Sequence, residues 1–122
     1  MSDEFLRIAR QEIQTEIDNL KDIFRICAND EQLYEKSIDI EKHMHKIKGL
    51  APMMGQEKVG EIARISDIIL KHTTSHGILK NSHKIIFEAT SNMSDIFEGH
   101  SKIDVENFRK KVQDAFPEIL GI

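Results

Sequence analysis

The chain has 122 residues, of which 39% are hydrophobic and 31% are charged, and its formal net charge at pH 7 is −4. This length suits one compact domain with one core, and the composition is that of a folded protein rather than a disordered segment. The negative charge argues against a nucleic-acid binder, and no apolar run approaches the roughly 20 residues that span a bilayer. Few glycines, prolines and aromatic residues favour helices.

The first two predicted elements are amphipathic helices, because apolar residues recur at spacings of three, four and seven. The first covers residues 3 to 28. The second covers about 31 to 54 and ends at Gly55, since glycine suits the left-handed position just past a helix end. The apolar stripe of the first helix consists of Leu6, Ile13, Ile17, Leu20, Phe24 and Cys27.

The third and fourth predicted helices follow the same pattern. The third covers residues 56 to 72, and residues 73 to 80 form a polar connection after it. Asn81 or Ser82 caps the fourth helix, and Gly99 closes it. The apolar stripe of the fourth helix consists of Ile85, Ile86, Ala89, Met93, Ile96 and Phe97.

A short fifth helix begins near Asp104 and stops at Pro117, which cannot continue it. Helices joined by short connections tend to pack antiparallel. We therefore expect an all-α fold, an up-and-down antiparallel four-helix bundle with a short fifth C-terminal helix. Residues 1–122 form a single domain in this interpretation.

The most informative motif lies in the second predicted helix, where Lys48 and Gly49 follow His45 by three and four residues. These positions share one helical face, so an ammonium group and a bare backbone flank the imidazole. With about 100° per residue, His45 lies about 140° from the apolar stripe and faces solvent. A glycine within a helix costs roughly 0.5–1 kcal/mol relative to alanine, which suggests that something approaches the ring closely.

An exposed imidazole in this setting suits phosphoryl transfer. The neutral ring, whose unperturbed pKa is near ~6.5, has a nucleophilic nitrogen that can hold a phosphoryl group as a phosphoramidate. Phosphoryl transfer needs mainly alignment and charge stabilisation. A neighbouring ammonium offsets negative charge, and a glycine avoids collision with an incoming active site. Lys42 and Lys46 add positive charge that favours an acidic partner pocket.

His45, Lys48, Gly49 and Gly55 match the motif H-x-x-K-G with a second glycine six residues on. The chain here resembles the histidine phosphotransfer domains, and most closely the N-terminal phosphotransfer domain of chemotaxis histidine kinases. That domain carries a motif like L-A-H-x-x-E-x-x-L on its third helix. Residues 62–70 align with this motif without a gap, as Ile-Ala-Arg-Ile-Ser-Asp-Ile-Ile-Leu.

The resemblance implies a role for each matching residue. His45 is the phosphorylated residue, with Nε2 as the attacking atom. Lys48 contacts the phosphoryl group, and Gly49 gives clearance. The family's third-helix acid accepts a hydrogen bond from the other ring nitrogen, and Asp67 occupies its place with a side chain one methylene shorter. Arg64 replaces the family's histidine and is expected to pair either with Asp67 or with the phosphoryl group.

The resemblance also implies the partners. The chain is expected to accept a phosphoryl group from a histidine kinase ATP-binding domain and pass it to an aspartate of a receiver domain. It is a phosphorelay intermediate and not an enzyme by itself, because no ATP-binding glycine-rich sequence is visible. ATP and Mg²⁺ then belong to the partners, and the chain has no cofactor or metal of its own. We expect a monomeric domain.

We expect a cytoplasmic protein, because Cys27 is the single cysteine and the first residues show no secretory signal. Three alternatives stay open on the sequence alone. The chain is a free-standing protein or the leading domain of a longer chemotaxis-type kinase. It is a helical docking module in which His45 is chemically idle. Or His72 and His76, at i and i+4, bind a metal if the third helix extends that far.

Overall fold

The computed structural model describes residues 2–100 and 102–122, and all regular elements in those ranges are helical. The helices are α1 (Asp3–Ile26), α2 (Asp30–Glu35), α3 (Ser37–Leu50), α4 (Glu57–His76), α5 (Ser82–Phe97) and α6 (Val105–Ala115), with a 3-10 turn at Pro52–Met54. The prediction of an all-helical chain is confirmed. Among these described helices, none combines the length and the apolar character that crossing a bilayer requires.

The helices share one cluster of buried apolar side chains. Helix α1 contacts α3 and α5, α4 contacts the same two helices, and α6 packs on α4. The stripe predicted for α1 lies in this cluster from Ile13 onward, since Ile13, Ile17 and Leu20 are fully buried, whereas Leu6 is only partly buried. Helix α3 contributes Met44 and Ile47, which are also fully buried.

The prediction of one helix over residues 31 to 54 is wrong, because the chain leaves helical geometry at Lys36. There the backbone adopts φ −101° and ψ 6°, between α2 and α3. The buried hydroxyl of Ser37 donates a 2.8 Å hydrogen bond to the carbonyl of Tyr34. Serine competes for backbone groups in this way, and the periodicity of apolar residues gives no sign of it. Gly55 is left-handed at φ 80°, as expected.

Helix α4 continues past residue 72 to His76, so the polar connection predicted over residues 73 to 80 is wrong for its first four positions. Thr73 and Thr74 each donate a hydroxyl hydrogen bond to the carbonyl four residues earlier. Their polar groups are thereby satisfied within the helix, and Thr73 is buried. Gly77, at φ 99°, ends the helix.

The N-terminus of α5 is capped from outside the helix. Asn81 precedes the helix in a left-handed conformation, and its side chain makes no capping hydrogen bond. The carboxylate of Asp30, in the first turn of α2, instead accepts hydrogen bonds from the backbone N–H groups of Asn81 and His83, at 2.8 and 2.9 Å. Asn81 occupies the predicted cap position, but the capping hydrogen bonds are accepted by Asp30 and not by the side chain of Asn81 or Ser82. The contact ties α2 to α5 through free N–H groups at a helix start.

Two helical glycines have opposite surroundings, which gives a matched pair of substitutions. A Cβ at Gly60 would lie 2.8 Å from Cγ of Pro52, whereas a Cβ at Gly49 would meet no atom within 4 Å. Gly60→Ala should therefore lower the free energy of unfolding by about 1–3 kcal/mol, because the rigid proline ring must move. Gly49→Ala should leave stability equal or raise it by up to about 1 kcal/mol. Urea unfolding measures both, and equal effects of the two variants would contradict the expected close approach.

Candidate functional site

His45 lies on the outer side of α3, opposite to the buried Met44 and Ile47 of the same helix. Its side chain is 58% exposed. The ion-pair contacts of the ring in the described part of the chain all involve Nδ1 and none involves Nε2. Helix α3 thus presents an accessible imidazole, as the position of His45 relative to the apolar stripe predicts.

Two carboxylates face Nδ1 of His45. Oδ2 of Asp67, on α4, lies 3.6 Å away, and Oε1 of Glu41, one turn earlier on α3, lies 3.9 Å away. Both distances exceed that of a direct hydrogen bond. The shorter side chain of Asp67 therefore reaches toward the ring without a direct hydrogen bond to it.

Asp67 is the centre of an ion-pair cluster that we call the Asp67 cluster, formed by Glu41, Lys48, Asp67 and Lys71. Oδ2 of Asp67 lies 2.7 Å from Nζ of Lys48 and 3.0 Å from Nζ of Lys71. The side chain of Asp67 is only 2% exposed, and its buried Oδ1 has no hydrogen-bond partner among the described residues. The cluster joins α3 to α4 directly beneath the ring of His45.

The charges of the Asp67 cluster depend on one another. Burial by itself would raise the pKa of Asp67, but the neighbouring carboxyl group of Glu41 and the ammonium groups of Lys48 and Lys71 outweigh it and lower that pKa to about 2. The neighbouring Asp67 carboxylate raises the pKa of Glu41, and burial adds to the effect. The Asp67 carboxylate also raises the pKa of Lys71. Asp67 is therefore ionised at neutral pH and balanced by two ammonium groups.

The structure brings Lys48 into the site through Asp67. The helical spacing predicts that the Lys48 ammonium lies beside the imidazole. In the structure, Nζ of Lys48 donates a 2.7 Å hydrogen bond to Oδ2 of Asp67, which holds the ammonium group over the carboxylate next to the ring. The Lys48 side chain is about one-third exposed, so an anion arriving at His45 can reach its ammonium group.

The structure does not bring Arg64 into the site. Its Nε donates to Glu61, and one terminal nitrogen donates a 2.8 Å hydrogen bond to the carbonyl of Gly121 near the C-terminus. The suggested pair of Arg64 with Asp67 is absent from the contacts of the described residues, because Asp67 turns toward α3 and binds two lysines instead. Arg64 links α4 to the chain end.

Two members of the cluster, Glu41 and Lys71, were not predicted from the sequence. Each lies one helical turn from a predicted site residue: Glu41 four before His45, and Lys71 four after Asp67. Residues spaced in this way share a helical face. That spacing was the available signal, but charged pairs at i and i+4 are common on any exposed helix.

A groove of about 490 Å³ adjoins His45, and both acidic and basic side chains line it. The residues that line it are Asp39, Glu41, Lys42, His43, His45, Lys46 and Lys71. His43, on the side of α3 that faces α1, is half-buried and bonded to Glu16 of α1. Glu16 also pairs with Lys46. On the next turn, a Cβ placed on Gly49 would meet no atom of the described residues within 4 Å, so this position leaves open space beside His45.

One set of side chains has the composition of a metal site. A nitrogen of His45 and one carboxylate oxygen each from Glu41 and Asp67 lie within 4.8 Å of one another. However, Lys48 and Lys71 already neutralise these carboxylates, and a dication would face both ammonium groups at close range. The set is better described as an ion-pair network.

His72 and His76 both lie on α4, which extends as far as the metal-binding alternative requires. Their rings stack with centroids 4.2 Å apart, and Nδ1 of His76 lies 3.1 Å from the carbonyl of His72. Within the described ranges, no third acidic, histidine or cysteine ligand joins the two rings. The observation favours ring stacking over metal binding.

No family model matches this chain, and comparisons with curated proteins and with solved structures give no match either.

Proposed function

We propose that this chain is a histidine phosphotransfer domain in two-component, chemotaxis-like signalling. It accepts a phosphoryl group on His45 from a histidine kinase ATP-binding domain and passes it to an aspartate of a response-regulator receiver domain. The observation that carries the proposal is the exposed ring of His45, with Nδ1 over two carboxylates and ammonium groups close by. The chain is then a phosphorylated intermediate and not an enzyme by itself.

The chemistry of the transfer follows from the two ring nitrogens. With a proton on Nδ1, the lone pair on Nε2 attacks phosphorus, the Nε2–P bond forms, and the P–O bond to the departing ADP breaks. The ring becomes a phosphorylated cation that keeps its Nδ1 proton, and the nearby carboxylates stabilise that cation. ATP and Mg²⁺ are supplied by the partner domains. In the transfer to a receiver aspartate, a carboxylate oxygen of that aspartate forms the new O–P bond, the Nε2–P bond breaks, and the lone pair returns to Nε2 of a neutral imidazole that keeps its Nδ1 proton.

The lysines of the Asp67 cluster are placed to respond to the new charge. A phosphoryl group on His45 brings about two negative charges close to Lys48 and Lys71. Both lysines have partly exposed side chains, so each can exchange its bond to Asp67 for one to a phosphoryl oxygen. We expect Lys48 to make the main contact, since it lies on the same helical face as His45.

The proposed fold is the up-and-down antiparallel four-helix bundle of α1, α3, α4 and α5, with α6 as the short fifth helix. The contacts support it, because each of these four helices packs against two of the others in a closed ring. This arrangement would hold the α3 and α4 sides of the site rigidly, which phosphoryl transfer requires.

A labelling assay tests the proposed function. The purified chain is incubated with labelled ATP and with histidine kinase cores encoded in the same genome. We expect an acid-labile, base-stable label on the chain that disappears when a receiver domain and Mg²⁺ are added. No label from any kinase core that phosphorylates its own substrate would contradict the proposal and favour an idle docking module.

Bulk at Gly49 should impair transfer without impairing the fold. In Gly49→Leu the new side chain enters the open space beside His45, where a partner active site has to approach. We expect transfer from the kinase core to slow by about tenfold or more, because small misplacements strongly affect phosphoryl alignment. Gly49→Ala is the control with a smaller side chain. In urea unfolding, the free energy of unfolding of both variants should lie within about 1 kcal/mol of the wild-type value. Unchanged transfer in Gly49→Leu would mean that partners dock elsewhere.

A further inference from the structure

The position of Asp67 does not by itself determine the orientation of the His45 ring. Oδ2 of Asp67, its oxygen nearest the ring, is 3.6 Å from Nδ1 and already accepts from Lys48 and Lys71. The buried side chain of Asp67 is thereby fixed between two ammonium groups. It has little freedom to close the remaining distance to the ring.

Glu41 differs from Asp67 in each of these respects. Its Oε1 lies 3.9 Å from Nδ1, and its side chain is 21% exposed and one methylene longer. The nearest ammonium group, that of Lys71, is 3.9 Å from the same oxygen and therefore holds it weakly. As Glu41 lies four residues before His45 on α3, a small rotation of its side chain brings a carboxylate oxygen to Nδ1.

We propose that Glu41 is the positioning residue that accepts the Nδ1–H hydrogen bond of His45, while Asp67 holds Lys48 and Lys71 beside the ring. The inference deepens the proposed function and rests on it for its role in transfer. Glu41 acts through His45, since it orients the ring and does not touch the phosphoryl group.

The carboxylates of Glu41 and Asp67 work as a pair in this arrangement. The two groups are adjacent, because one carboxylate oxygen of each lies within 4.8 Å of the other and of a ring nitrogen of His45, and the Asp67 carboxylate raises the pKa of Glu41. Lys71 and His45 also face the Glu41 carboxylate, and their charges oppose the rise in its pKa. Lys48 lies on the far side of Asp67, to which it is bonded. The longer acid on α3 thus compensates for the short acid on α4.

The consequence for reactivity concerns the tautomer of His45. A carboxylate at Nδ1 favours the form with the proton on Nδ1, which leaves the lone pair on Nε2. That is the nucleophilic form in the proposed transfer. When the Nε2–P bond forms and the P–O bond to ADP breaks, the Nδ1 proton stays in place, and Glu41 stabilises the positive ring.

Nitrogen NMR of the imidazole tests this inference without any phosphoryl donor. The ratio of the two neutral tautomers of His45 is measured in wild type, in Glu41→Gln and in Asp39→Asn. Asp39→Asn is the matched control, because it removes the same charge from the same helix near His43 rather than His45. We expect Glu41→Gln to shift the ratio about threefold to tenfold toward the Nε2–H form, which is the range of one hydrogen bond. The control should match wild type.

Two further outcomes separate the inference from the proposed function. If Glu41→Gln leaves the tautomer ratio unchanged while folded Asp67→Asn shifts it, Asp67 orients the ring and the inference is overturned. If Glu41→Gln shifts the ratio but wild-type chain accepts no phosphoryl group, the orienting role of Glu41 stands and the proposed function fails. Where wild type does accept the group, uptake by Glu41→Gln should be slower by at least the factor by which the fraction of the Nδ1–H tautomer falls.

Discussion

His45→Gln should abolish phosphoryl uptake from a kinase core and leave the fold intact. Glutamine has no nitrogen lone pair comparable to that of a neutral imidazole, so no phosphoramidate can form. The side chain at position 45 is 58% exposed, so the free energy of unfolding should change by less than about 0.5 kcal/mol. The measurement is the amount of acid-labile, base-stable label per folded chain, with folding checked by circular dichroism and urea unfolding.

His76→Gln is the matched control for this loss. His76 is also an exposed histidine on a helix, but it lies at the end of α4 and stacks on His72. Its replacement should leave labelling at the wild-type level. Label that persists in His45→Gln and disappears in His76→Gln would move the phosphorylation site and refute the assignment of His45.

The sequence was sufficient to predict that the chain is helical and roughly where most helices lie, because burial of apolar stripes dominates helix formation. It was not sufficient at Ser37 and Thr73, where hydroxyl hydrogen bonds to backbone carbonyls decided the local geometry in opposite directions. The hydroxyl of Ser37 accompanies a break in the helix, whereas that of Thr73 is satisfied within it. The spacing of the apolar residues does not predict whether the helix breaks or continues at such a residue.

The candidate site was predictable where it depends on one helix and less so where it depends on two. The shared face of His45, Lys48 and Gly49 follows from helical geometry alone. Which residues of α4 face them depends on the rotation of one helix against the other, and this rotation places Lys71 at the site and leaves Arg64 outside it. The spacing of residues within α4 gives no information about that rotation.

Asp67→Asn should lower the stability of the protein at neutral pH and have almost no effect in strong acid. The pKa of Asp67 falls from 3.8 to about 2 on folding, because the neighbouring carboxyl group of Glu41 and the ammonium groups of Lys48 and Lys71 outweigh its burial. A depressed pKa stabilises the folded state above the unfolded-state value, and this contribution is lost as pH falls from about 4 toward 2. The difference in unfolding free energy between wild type and variant should therefore be about 2 kcal/mol at pH 7.

Urea unfolding of both proteins between pH 2 and pH 7 measures this difference, which should be constant above about pH 5 and should shrink below pH 4. Asp95→Asn serves as the control, since Asp95 is an exposed aspartate on α5 and its removal should change stability by less than about 0.5 kcal/mol at any pH. A difference for Asp67→Asn that stays the same down to pH 2 would show that packing, and not the charge of the carboxylate, accounts for its effect. In that case Asp67 would not be the anion that holds Lys48 and Lys71 beside His45, and the electrostatic basis of the site would have to be reassigned.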